Sequence, residues 1–467
     1  MIDQDDIQGP DRWGGNRARS RWRWWAVGLA GVTGLALTTV AVAPAAGAVG
    51  RSLAAVDDRG DDRGKREEGR RGEGLRDDRG KGEKGAGDKG KKEVRPKGVP
   101  VPCDADKLIA AITLANARGG AVLDLAKKCT YLLTANIDDG NGLPTITAPI
   151  TLNGGKHTTI KRAAGVDQFR IVTVGTGGDL TLNHLKITGG QTDGDGGAIL
   201  VNPGGTLHLH HSTVTRNITG GSGGGIANNG TTRIKDSTVS RNTSGTNGGG
   251  IWSTGLLTVT ASHITANVSG ATGGGIHSAQ GTLLVDHSRI TANHSQTSVG
   301  GLELFGGAGT VTKTQVTGNT APAVGGVLAN SGQLTLTKVV IAHNTATTGL
   351  SGGLSVNPNT LTVVEDSIID NNSAAANGGG IFNFGSLVLR NTKVTRNRSG
   401  NQGGGIYNIF SGNLSLFNTK IVKNLAVSEG GGIYNNVPGV VNLNTATGTI
   451  VAKNRPDNCV DVPGCPG

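Results

Sequence analysis

The stretch Gly224-Gly-Ile-Ala-Asn-Asn-Gly-Thr-Thr-Arg-Ile-Lys-Asp-Ser-Thr-Val-Ser-Arg-Asn242 decides the fold, because its pattern returns along the chain. Gly-Gly followed by an apolar residue ends at Ile199 (with Ala198 interposed), Ile226, Ile251, Ile276, Leu302, Val327, Leu354, Ile381, Ile406 and Ile433, at intervals of 25 to 27 residues. An asparagine follows each one, at Asn217, Asn242, Asn267, Asn293, Asn319, Asn344, Asn372, Asn397, Asn424 and Asn454. Three residues before each asparagine stands Val or Ile, five before it Ser or Thr with Val339 as the departure, and eight before it an apolar residue. Positions three and five back share one parity and position eight the other. Each repeat therefore holds two period-2 stretches with a corner between them, and the Gly-Gly-Ile segment supplies a third side.

Three short strands per repeat, with corners too tight for a helix, bury little as an open sheet. Stacked coil upon coil, each strand pairs with its counterpart about 4.8 Å away and only the two ends remain as edges. The repeat thus predicts an all-β, right-handed parallel β-helix, a solenoid of about 12 coils spanning residues 141–454, its hand set by the rule for parallel crossovers. The glycines are expected to turn the corners through positive φ, and the asparagines to occupy the left-handed region while their amides bond along the column. The sequons at Asn217, Asn242, Asn267 and Asn397 fall on this ladder, so they follow from the repeat and are not expected to be modified.

Residues 98–140 read as an N-terminal cap. Leu108, Ile109, Ile112 and Leu114 recur at near-helical spacing, Asp104 or Asp106 can cap the start of a short helix, and Gly119-Gly120 stops it. The four cysteines form two local pairs, Cys103 with Cys129 and Cys459 with Cys465, at opposite ends of the body. A zinc site would need all four together, so two disulfides are expected, the second in a C-terminal cap over 455–467.

Upstream of the cap the composition changes. Residues 51–97 carry 16 basic and 12 acidic side chains with almost no apolar residue, which predicts a disordered charged linker over 49–97. Residues 1–48 read as a signal peptide: Arg17, Arg19, Arg21 and Arg23 precede an apolar run from Trp24 to about Ala43, and Ala46-Gly47-Ala48 offers a cleavage site. The expected location is secreted or extracellular, in association with the cell surface, with membrane contact only through the signal segment if uncleaved. The net charge of +11 leaves only +6 spread thinly over residues 98–467, too dilute for nucleic-acid binding.

The Gly-Gly-Gly-Ile … Ser/Thr-x-Val/Ile-x-x-Asn coil resembles the polymorphic outer membrane protein (POMP) type of repeat. Residues 101–467 are similar to secreted parallel β-helix repeat proteins of bacteria, including the ends Cys103 … Cys129-Thr-Tyr-Leu-Leu-Thr and Asn454-Arg-Pro-Asp-Asn-Cys459. The resemblance implies the fold and leaves function open. Relatives that act as autotransporter passengers end in a barrel, whose strands do not follow here, so autotransport is not expected.

Two functions compete. Many β-helices of the pectate-lyase-like fold are polysaccharide lyases or glycoside hydrolases, which need converging carboxylates or an acidic cluster with a base. Asp138-Asp139, Asp193 with Asp195, Glu303, Glu365-Asp366 with Asp370, and Glu429 fall on different coils or corners. His184 and His210-His211 read as isolated surface histidines, and Asp193-Gly-Asp195 occurs once. No catalytic or metal constellation and no cofactor pattern is recognised, so the reading leans against an enzyme. The rival is a structural or adhesive protein that binds carbohydrate or another cell-envelope partner. The residue after each anchor should point outward, which lines up Trp252, His277 and Glu303, then Phe382, Tyr407 and Tyr434, as a ligand-binding ladder.

Overall fold

Ile226, Ile251, Ile276 and Leu302 are direct neighbours in one parallel ladder, as are Val239, Ile264 and Ile290 in another. The computed structural model describes residues 98–466, so the expected signal peptide and charged linker lie outside the described residues. Within them the chain is a parallel β-solenoid of about fourteen turns.

One coil shows how sequence becomes strand. Ile226–Asn228, Thr231–Lys235, Thr238–Ser240 and Thr243–Ser244 follow one another, and each joins a different sheet, of twelve, fourteen, thirteen and ten strands. The sequence suggested three sides. The fourth, two residues long, begins immediately after the ladder asparagine and is too short to show a periodicity of its own. The coil count also exceeds the twelve expected, because Val99–Val101 and Ala121–Leu125 of the cap pair in the fourteen-stranded sheet and extend it.

The interior is a stack of columns. Ile226, Ile234 and Val239 of one coil, and Ile251, Val259 and Ile264 of the next, are fully buried in one continuous core. Each such side chain contributes about 1.5–3 kcal/mol through removal from water. The helix Ala105–Ala117 closes the N-terminal end by burying Leu108, Ile112 and Ala115. Asp104 caps it, accepting from the backbone N–H of Asp106 and Lys107 at 2.8 and 3.1 Å. Leu114, expected on the buried face, is 48 % exposed; it sits more than a quarter-turn away from the Leu108–Ile112–Ala115 line. Cys103 and Cys129 are bonded, tying the segment that leads into the helix to the start of the strand Thr130–Leu133, and Cys459–Cys465 closes the far end.

The corners depart from expectation in one respect. None of the ten ladder asparagines has a positive φ. The residue immediately before each does: Arg216, Arg241, Ala266, Ala292, Gly318, His343, Asn371, Arg396, Lys423 and Lys453, with φ between 52° and 65°. The turn is made one residue early, so that the asparagine can point inward. A second left-handed column, from His211 and Asp236 to Asn391 and Asn418, precedes the Ser/Thr ladder in the same way. Among the glycines, Gly248 needs its φ of 62°, whereas Gly249 is needed for space: a Cβ there would lie 2.5 Å from the carbonyl oxygen of Gly274 in the next coil.

The asparagines of this ten-membered ladder satisfy both their amide nitrogen and their oxygen. The Nδ2 of Asn267 donates to Asn293 Oδ1 at 3.0 Å and to Val239 O at 3.0 Å, and the backbone N–H of Asn267 also reaches Asn293 Oδ1. Burial of this amide is tolerated because its donors and acceptor are all used. The Ser/Thr ladder works similarly, with Ser237 Oγ accepting from the N–H of Ser212 at 3.0 Å and donating to Lys235 O at 2.7 Å.

Candidate functional site

The residue after each apolar anchor lies on the twelve-stranded sheet, facing away from the core. Its column runs in register through Ala227, Trp252, His277, Glu303, Leu328, Ser355, Phe382, Tyr407 and Tyr434. Leu328 and Ser355 divide the rings into two groups. Phe382 stacks on Tyr407 with centroids 5.5 Å apart, and Tyr407 on Tyr434 at 5.2 Å with ring planes within 5°.

Outward direction does not make these rings exposed. Phe382 is 6 % and Tyr407 5 % accessible, while Trp252 and Tyr434 are half-buried. The cause is the adjoining glycine turn, which stands against the column as a wall: a Cβ on Gly403 would meet Tyr407 Cβ at 2.6 Å, and one on Gly430 would meet Tyr434 Cβ at 2.5 Å. Stacking occupies both faces of Tyr407 and one face each of Phe382 and Tyr434, while Trp252 and Tyr434 keep partial exposure. Burial pushes the Tyr434 hydroxyl above the usual phenol range, opposed by a hydrogen bond with Gln402.

In the upper group His277 Nδ1 lies 3.0 Å from Glu303 Oε2, and the Thr272 hydroxyl of the turn donates to the same oxygen. Both residues are buried, at 7 % and 4 % accessibility. A carboxylate that holds one imidazole nitrogen and leaves the other free can orient a proton-transfer group. Spacing placed these residues on one column; their direct bond was not foreseen. Next to them, Val299 and Val324 stand where other coils have a left-handed glycine, pair in extended conformation, and form with Leu328 a small apolar cluster outside the main core.

Three of the other carboxylates bond within the scaffold. Asp138 Oδ2 accepts from Thr145 N–H at 2.6 Å, Asp195 Oδ1 from Ser222 N–H at 2.7 Å, and Asp370 pairs with Arg396 at 2.6 Å. Among the described residues no group of three or more His, Cys, Asp or Glu side chains is placed to hold a metal ion. Asn217, Asn242, Asn267 and Asn397 of the sequons are at most 1 % accessible.

The histidines require a correction. His184 and His211, read as isolated, stack with centroids 4.8 Å apart and planes within 8°, because both occupy the same left-handed corner on successive coils. A second ladder, Asn383–Asn408–Asn435, was also missed; its Nδ2-to-Oδ1 bonds are 2.7 and 2.8 Å. The repeated Ile-x-Asn at 381–383 and Ile-Tyr-Asn at 406–408 and 433–435 was the available signal.

No family model matches the chain, and no curated protein or solved structure matches it at a significant level. The class of protein that the sheet topology defines is the parallel β-solenoid.

Proposed function

We propose that this chain is an exported or surface-associated β-helix of the POMP-repeat type. In this reading it is a structural or adhesive rod that binds carbohydrate or another cell-envelope partner along the twelve-stranded sheet. The observation that supports it most is the register of Phe382, Tyr407 and Tyr434 on one outward column, with Trp252 further along the same column. Because the ring faces are turned towards each other, the ligand lies along the rim, against ring edges, the Tyr434 hydroxyl and the Trp252 indole, rather than flat on a ring. A rigid column of this kind loses little side-chain freedom on binding.

A second reading, a polysaccharide lyase or glycoside hydrolase, is favoured by one observation, the buried Glu303–His277 pair. Incubation of the purified chain with pectins, alginates and glucans, with and without calcium, separates the two. The binding reading predicts retention without unsaturated or reducing-end products, and loss of retention in a Trp252→Ala, Tyr434→Ala variant. Product formation abolished by Glu303→Gln would replace it with the enzymatic one.

A further inference from the structure

Five of the ten histidines lie between residues 157 and 211, and the coil brings them onto one corner and the adjoining face. His157, His184 and His211 all have positive φ, at 65°, 54° and 49°. They line one shallow depression together with Lys156 and Lys186; a second depression, sharing His184 and His211, adds His210, Asn183 and Lys235. His157, His184 and His211 are exposed. His208 and His210 point outward from the strand Thr206–His210, two residues apart, with ring centroids 6.1 Å apart.

We propose that this corner is an acid-activated binding site for an acidic polysaccharide, whose carboxylate or sulfate groups bind the protonated imidazoles of successive coils. Imidazole is the side chain that gains charge as pH falls through the range between 8 and 5. When His184 and His211 are both protonated, their stacked rings repel, and an anion lying against them relieves that repulsion. The surrounding fixed charges favour the same ligand. On the coil before lie Lys127, Lys128 and Asp124, the last hydrogen-bonded to Asn153. The His157 coil adds Lys156 and Lys161, the His184 coil Lys186 and Asp179, the His211 coil Arg216, and the next coil Arg233, Lys235 and Asp236. Asp179 lies 3.6 Å from His208. Basic groups thus outnumber acidic ones before any histidine is charged. The His210 imidazole is held below its ordinary range by burial first, then by His208, Lys235 and His211, with Asp236 opposing.

A polymer fits better than a single small anion. From His157 to Asp236 the corner crosses three coil steps, about 14 Å at the β spacing, so anionic groups on consecutive sugars can meet consecutive coils. A lipid surface fits less well, because the two depressions present His, Lys, Asn, Thr and Asp, and the apolar Leu185 they touch is buried.

The test measures binding of the full chain to polygalacturonate and dextran sulfate, with neutral dextran and phosphatidylserine vesicles alongside, at about pH 5.5 and about pH 7.5. The acidic chains are expected to bind at least about tenfold more tightly at the lower pH, the change that an average linked uptake of about half a proton over the two pH units produces. His184→Asn with His211→Asn should remove that gain. Asparagine already stands at left-handed positions of the same column at Asn391 and Asn418, so the coil is kept. His184→Lys with His211→Lys should give tight binding at both pH values; Lys313 and Lys338 show that the column accepts lysine. A gain that survives the asparagine variant, pH-independent binding by the native chain, or acid-dependent capture of vesicles but not polysaccharide would overturn the proposal. Tyr434→Ala should leave the gain intact, so failure of the ring column as a binding site would be seen separately.

Discussion

Asn242 donates its backbone N–H and its side-chain Nδ2–H to one atom, Oδ1 of Asn267, each at 3.0 Å. The same pairing recurs from Asn217 to Asn454, so each of these coils is tied to the next by a buried amide as well as by its strands. Asn267→Ala would leave the backbone N–H of Asn242 and one of its two Nδ2 hydrogens unpaired in the core. At about 1–3 kcal/mol for each abandoned group, a loss of at least about 2 kcal/mol is expected. A urea titration reads it directly. An unchanged midpoint would show that the ladder is ornamental.

Gly249 and Gly119 should behave in opposite ways. A Cβ on Gly249 would lie 2.5 Å from the Gly274 oxygen, a rigid backbone atom, whereas Gly119 has nothing within 4 Å. Gly249→Ala is expected to cost more than about 3 kcal/mol or prevent folding. Gly119→Ala should cost only about 1 kcal/mol, from its left-handed φ of 78°. Comparable thermal midpoints for the two variants would contradict the stated packing of adjacent coils.

The two disulfides span 26 and 6 residues. On the chain-entropy account, removing Cys103–Cys129 by paired alanine substitution should cost about 3.5 kcal/mol and removing Cys459–Cys465 about 2 kcal/mol. The first loss should also raise hydrogen exchange in the helix Ala105–Ala117, which that bond holds to the first coils.

Stability should fall on mild acidification when no anion is present. The His210 imidazole is lowered in the folded chain, chiefly by burial. The unfolded chain therefore binds more protons below its ordinary range, and stability rises with pH through that interval. His210 thus contributes its full share above about pH 6.5 and loses it progressively as pH falls towards its lowered folded value. The melting temperature should drop between about pH 7 and about pH 5, and recover on addition of dextran sulfate. His210→Asn should flatten the profile; a native profile already flat over this interval would contradict the assignment.

The stacked fold was legible because one side chain per coil repeats at a fixed offset. Ile226, Val239 and Asn242 each announce a column, and parity alone separates inward from outward positions. What parity cannot supply is the neighbour across a corner. Asn242 was read as the left-handed residue, yet Arg241 carries the positive φ, since several residue types accept that conformation when the asparagine beyond is held by its bonds. Tyr407 was read as outward and exposed; its direction is as expected, but the Gly403 turn covers it. His184 and His211 are 27 positions apart in a segment where the asparagine mark is missing, Gly190 standing in its place, so no ladder flagged their stacking.

The central claim is that successive coils lie over one another in parallel register. Lys235 and Thr337 are four ladder steps apart, and Lys235 and Arg390 six. All four native cysteines are engaged in disulfides. Spin labels on cysteines introduced at these pairs should report backbone separations of about 19 Å and about 29 Å, growing in equal steps of about 4.8 Å per coil. Separations that do not grow in proportion to the number of coils would contradict the stacked register, and the ring column and histidine corner built on it.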